Sequence, residues 1–247
     1  MKLKSGWMPA RDASGHYTPP IKTHTTIYVT GDSWSAGEWD KSKGDDINFH
    51  ARDHSFSKYL SYTDKYKIIH CPLPGWGDIV ALDKLKKRHD LDEIDYIIFV
   101  KTCATRSFVN FKKDANPELY GDPHIFRKIS FINNYIYRNL EKYKDKLILV
   151  GGIERIRDSF ECFYKIPSIT EFLYPHFKDS EYFGDIKYLE QFIEQDKVGV
   201  DALLSHSLGK IKFWNDNPDM FYPDGAHPNR YAHKLLAYHI DDFLSKR

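Results

Sequence analysis

The sequence predicts an α/β fold, a mainly parallel sheet covered by helices on both faces. Three observations lead there. Short apolar runs alternate with segments of helical spacing, as strand–helix–strand units require. The runs are apolar at nearly every position, as in strands covered on both sides. The chain of 247 residues, 41% hydrophobic, is long enough for one sizeable core and too apolar to stay disordered.

Residues 1–23 are rich in Lys, Gly and Pro and end in Pro19-Pro20, which reads as an irregular arm. Thr25-Thr26-Ile27-Tyr28-Val29-Thr30 is β-branched and apolar, a buried strand that stops at Gly31. Residues 53–64, with Phe56, Tyr59 and Leu60, predict a helix. Ile68-Ile69-His70-Cys71 is a second strand, ended by Pro72 and Pro74. Ile79, Leu82 and Leu85 fall at helical spacing over 78–89. Asp95-Tyr96-Ile97-Ile98-Phe99-Val100 is the strongest strand signal. A helix over 123–143 begins at Pro123, and Lys146-Leu147-Ile148-Leu149-Val150 is a fourth strand.

Residues 153–222 interrupt this rhythm. Phe160, Phe163, Tyr164, Phe172, Tyr174, Phe177, Tyr182 and Phe183 crowd a stretch without a clean strand signal. It is either a lid or wall for an acyl or sugar group, or a satellite core. Residues 185–205 then read as helix, 211–214 as a short fifth strand, and 229–245 as a closing helix. With no repeat or linker, residues 1–247 form one domain carrying an aromatic-rich insertion over 153–222.

Composition excludes several functions. Lys plus Arg number 36 against 35 Asp plus Glu, without the basic excess of a nucleic-acid binder. No apolar run reaches the length of a membrane span. The start, Met1-Lys2-Leu3-Lys4-Ser5-Gly6-Trp7, has no secretory h-region. The three cysteines, Cys71, Cys103 and Cys162, are odd in number and scattered, so free thiols in a cytoplasmic setting are expected. His50 and His54 stand four apart without the Glu of a zincin helix, and no phosphate-binding glycine motif is present, so neither a metal nor a nucleotide cofactor is expected.

The chemistry concentrates in two places. Gly31-Asp32-Ser33-Trp34-Ser35 follows the first strand, and ligand sites of open α/β sheets lie beyond the carboxyl ends of strands. A serine there exposes its hydroxyl and turns its N–H toward the same space, where it serves an oxyanion. Serine needs a base. Near the far end, Phe221-Tyr222-Pro223-Asp224-Gly225-Ala226-His227-Pro228-Asn229 is a loop before the last helix. Its Asp224 and His227 are spaced so that a carboxylate can orient an imidazole. Ser33, Asp224 and His227 are therefore the candidate catalytic residues, with Asp32 bracing the turn. His70 and His206 are reserve candidates for the base.

This pair of blocks resembles the SGNH, or GDSL-like, serine hydrolase family, with Gly-Asp-Ser after the first strand and Asp-x-x-His before the last helix. The resemblance implies a flavodoxin-like three-layer α/β/α sandwich and metal-free hydrolysis of carboxylic esters, O-acetyl esters of carbohydrates among them. It implies an oxyanion hole of Ser33 N–H and a glycine N–H from Pro74-Gly75-Trp76-Gly77-Asp78: Gly75 first, Gly77 second. The family's third block, Gly-x-Asn-Asp, is absent. The third strand runs instead into Lys101-Thr102-Cys103-Ala104-Thr105-Arg106-Ser107. Thr102 is the expected third donor, with Arg106 as its rival. Asp32, Trp34, Gly77 and Arg106 are the candidate substrate contacts, and a small-molecule or carbohydrate ester is the expected partner. The missing Asn also keeps a non-catalytic binding protein open, and the aromatic segment keeps a lipid-acting hydrolase open. The layout is similar, more faintly, to hydrolase-like proteins of tailed phages, which would place the chain in a virion or host-cell cytoplasm.

Overall fold

The computed structural model describes residues 24–72, 74–75, 77–102, 123–152, 155–173 and 227–247. Among the described residues, five parallel strands form one sheet in the order β2-β1-β3-β4-β5. They are β1 (Thr25–Thr30), β2 (Tyr66–His70), β3 (Tyr96–Lys101), β4 (Leu147–Gly151) and β5 (Tyr164–Ile166). The helices are α1 (Ser33–Ala36), α2 (Ile47–Asp53), α3 (Phe56–Ser61), α4 (Asp78–Lys86), α5 (Pro123–Leu140), α6 (Ile169–Leu173) and, at the chain's end, α7 (Arg230–Ser245). This is the expected three-layer α/β/α architecture, and the order 2-1-3-4-5 is the flavodoxin-like one.

Strand alternation sorts the core into two layers. Ile27, Val29, Ile98, Val100, Ile148 and Val150 face one side, where Trp34 of α1, Phe56 and Leu60 of α3 and Leu236 and Ile240 of α7 cover them. Tyr28, Ile97, Phe99, Leu147 and Leu149 face the other, against Leu82 and Leu85 of α4 and Ile136 and Leu140 of α5. A six-residue helix such as α3 is not stable alone. Burial of Phe56 and Leu60, at about 1.5–3 kcal/mol per side chain, holds it.

Two differences from the sequence reading have plain causes. The helix expected over 53–64 is the shorter α3, Phe56–Ser61, and a separate α2 that ends at Asp53 precedes it. Ser55 is extended and its Oγ accepts the Lys58 N–H at 3.1 Å, so the chain restarts a helix there. The stretch after residue 153, read as lacking a clean strand, contains β5, which pairs Tyr164, Lys165 and Ile166 with Ile148, Leu149 and Val150. Three residues are too few to show a period. The arm over 1–23, the helix expected over 185–205 and the strand expected at 211–214 lie outside the described residues.

Candidate active site

The sheet's order reverses at β1, where β1 is flanked by β2 and β3, and sites in such folds lie beyond the carboxyl ends at that point. Gly31 leaves β1 with φ +149°, and a Cβ there would lie 2.8 Å from the Val100 carbonyl oxygen of β3, so the turn needs glycine. Asp32 caps α1. Its Oδ1 accepts the Trp34 N–H at 2.8 Å, and its carbonyl accepts the Ser35 hydroxyl at 2.7 Å. Ser33 is therefore the first residue of a helix, with an N–H that has no acceptor within the helix.

His227 comes to this serine from 194 residues away. Its Nε2 lies 2.9 Å from Ser33 Oγ. The ring is half-buried, its Nδ1 is buried, and Trp39 lies beside it at 6.1 Å between ring centroids. Two residues on, Asn229 caps α7, its Oδ1 accepting the N–H groups of Tyr231 at 2.9 Å and Ala232 at 3.1 Å. An imidazole nitrogen at this distance can take the hydroxyl proton as the oxygen attacks a carbonyl.

The other expected residues are placed as follows. Asp32 and Trp34 are each 1% exposed. Asp32 is the cap of α1, and Trp34 packs in the core against the sheet. Gly75 is exposed in the turn after β2, with φ +78°, a left-handed conformation that favours glycine. Gly77 is buried at the start of α4, and its carbonyl accepts the Val80 N–H at 3.0 Å. Thr102 is buried at the end of β3. Its hydroxyl donates to Asp78 Oδ1 at 3.1 Å, and its N–H donates to the same oxygen at 2.8 Å. A threonine hydroxyl has one proton, and here Asp78 receives it, so the expected donation to an oxyanion is not the arrangement found. Asp224 and Arg106 lie outside the described residues, as do Trp76, Cys103 and His206. His70, a reserve base, is tied to Ser57, with Nδ1 2.6 Å from its Oγ.

Several groups around the site escaped the sequence reading. Asp78 also faces Lys101, with Oδ2 3.6 Å from Nζ, and both side chains are 1% exposed. This buried trio fastens the start of α4, and hence the Gly75–Gly77 turn, to the end of β3. Glu38, 1% exposed, accepts from the Arg230 backbone N–H at 2.6 Å, the Arg230 guanidinium at 2.8 Å and His50 Nε2 at 2.8 Å. Burial pushes its pKa up, but the bonds from Arg230 and His50 outweigh this and hold it at about 2. His233 is buried against Phe56, whose N–H donates to its Nδ1 at 3.3 Å, and burial lowers its pKa to about 4. None of these partners is near in sequence to the residue it serves, so no local pattern announces them.

Among the described residues, Glu38, His50 and His54 bring possible metal-ligating atoms within 4.8 Å of one another. Both oxygens of Glu38 already accept from Arg230, and His50 adds a third partner, so the group is accounted for as an ion-pair network. Cys71 and Cys162 are free thiols. Among the described residues, no helix is long and apolar enough to cross a membrane.

No family model and no curated protein matches the chain. It is similar to the solved structure of a two-domain esterase active on acetylated mannans, at 14% identity and a TM-score of 0.45. That match covers 90% of this chain and 49% of the other, so the chain spans about half the length of that protein. It is similar to a lipase/acylhydrolase from Enterococcus faecalis at 15% identity and a TM-score of 0.39, over 90% of this chain and 96% of that one. An acetyl xylan esterase is similar at 14% identity and a TM-score of 0.43, over 89% and 99%.

Proposed function

We propose that this chain is a serine esterase of the SGNH type, which cleaves carboxylic esters through an acyl-enzyme on Ser33. One observation carries the reading: a histidine 194 residues distant sets its Nε2 2.9 Å from the hydroxyl of a serine that opens a helix after the first strand.

His227 Nε2 takes the Ser33 proton as Oγ attacks the ester carbonyl, and the carbonyl oxygen becomes an oxyanion. The N–H groups of Ser33 and Gly75 meet that charge. The imidazolium gives its proton to the departing alkoxide as the acyl–oxygen bond breaks, leaving the acyl group on Ser33. A water then attacks with His227 again as base, and the carboxylic acid and free serine are released. Asp224 orients the imidazole and stabilises its charged form. Thr102 acts through Asp78 in this scheme and not on the oxyanion. Within esters, O-acetyl groups on carbohydrates are the substrate class that the family resemblance implies.

A second reading, a ligand-binding protein on the same fold, draws on the commitment of the Thr102 hydroxyl to Asp78. Hydrolysis of p-nitrophenyl acetate separates the two. Turnover by the purified chain that Ser33→Ala removes, with the far-UV spectrum unchanged, supports the esterase. Equal turnover in the Ser33→Ala protein overturns it.

A further inference from the structure

Two consecutive residues just after the nucleophile's helix meet the segment that carries His227. Glu38 holds Arg230, and Trp39 lies beside His227. Glu38 stands five residues after Ser33, and Arg230 stands three after His227, so one carboxylate joins the two arms of the candidate site. We propose that Glu38 is a positioning residue for His227: its buried carboxylate grips the first residue of α7 by backbone and guanidinium together, and so sets the imidazole over Ser33. This rests on the reading of Ser33 and His227 as nucleophile and base.

Three features argue for positioning over simple helix capping. First, α7 already has its cap in Asn229, which satisfies two of the orphan N–H groups. Glu38 takes the Arg230 N–H from the side, from another part of the chain. Second, the grip is two-sided. The Arg230 N–H reaches one carboxylate oxygen at 2.6 Å, and a guanidinium nitrogen reaches the other at 2.8 Å. That fixes direction as well as distance. Third, the anchor on the serine side is stiff. Gly37 has φ +129°, and a Cβ there would lie 1.7 Å from the Ala51 carbonyl oxygen, so this backbone is pressed against α2. From α2, His50 Nε2 holds Glu38 at 2.8 Å. A carboxylate 1% exposed is costly to bury unless fully partnered, and here it has backbone, guanidinium and imidazole donors.

The test compares Glu38→Ala, Glu38→Gln, Arg230→Met and the Glu38→Ala/Arg230→Met double variant, using ester hydrolysis and thermal unfolding. Misplacing a catalytic group by about 1 Å can cost roughly a hundredfold in rate. Glu38→Ala is expected to lower kcat by about that factor with KM little changed, in a protein that is still folded at the assay temperature. Glu38→Gln keeps an acceptor for the Arg230 N–H and is expected to recover part of the loss. The double variant is expected to be no worse than the poorer single, because both remove one interaction. If Glu38→Ala does not fold, Glu38→Gln and Arg230→Met decide, by a fall in kcat with KM held. Unchanged kcat in the folded variants, or losses that simply multiply, overturns the proposal. A wild-type chain with no ester hydrolysis condemns the esterase reading instead. The position of the His227 ring, compared between wild-type and Glu38→Gln crystals, then decides the clamp alone: an unmoved ring overturns it.

Discussion

Two histidines, the half-buried His70 and the buried His233, give the chain a pH response separate from catalysis. Burial is the largest cause in both and lowers each pKa from the usual 6.5 to about 4. The folded state therefore keeps them neutral where the unfolded state already binds a proton. Stability from these groups is fully present above about pH 6.5 and is lost as pH falls toward 4. Each proton taken up on unfolding contributes a slope of about 1.4 kcal/mol per pH unit. Urea unfolding across that window is expected to show the slope, and His233→Gln to reduce it. Ser33 and His227 were legible in the sequence because each sits in a short block with its own turn chemistry, glycine before one and prolines around the other. Glu38 and Asp78 were not legible. Each is an acidic residue among 35, and only the fold brings Arg230 to one and Lys101 to the other.

Elements carry the site by how tightly they are joined. Asp78 binds the start of α4 to the end of β3 through Thr102 and Lys101. Breaking a buried ion pair by removing one partner costs about 3–5 kcal/mol, so Asp78→Ala is expected to lower the urea midpoint by a matching amount. Lys101→Met keeps the stem's packing and removes the charge, and is expected to cost less in the Asp78→Ala background than in the wild type. A lysine that costs as much in both backgrounds would show that the pair is not coupled. Strands β1, β3 and β4 could be read from sequence because burial on both faces makes them apolar throughout. Strand β5 could not, since a three-residue Tyr-Lys-Ile strand carries one buried residue. Helix α3 was read a few residues too long at each end, because Phe56, Tyr59 and Leu60 give a helical spacing but do not mark the cap at Ser55.

At the scale of the whole molecule, the order β2-β1-β3-β4-β5 makes β1 an inner strand and brings its carboxyl end beside those of β2 and β3. That is why residues 33 and 227, at opposite ends of the sequence, can meet. The strand–helix alternation foretold the layers. The pairing order came with the family resemblance, since composition and period do not specify which strands are neighbours. The proposed chemistry needs only side chains and water, so esterase turnover is expected to survive EDTA. A loss restored by a divalent ion would place the Glu38, His50 and His54 group in the reaction. The claim at the centre of this account is that Ser33 is an activated nucleophile with His227 as its base. A fluorophosphonate probe followed by peptide mass spectrometry tests it most directly, because such a reagent bonds an activated serine and leaves an inert one unmodified. The account predicts one adduct, on Ser33, absent in Ser33→Ala and sharply slowed in His227→Ala. No adduct on a folded wild-type chain, or an adduct on another serine, would contradict it.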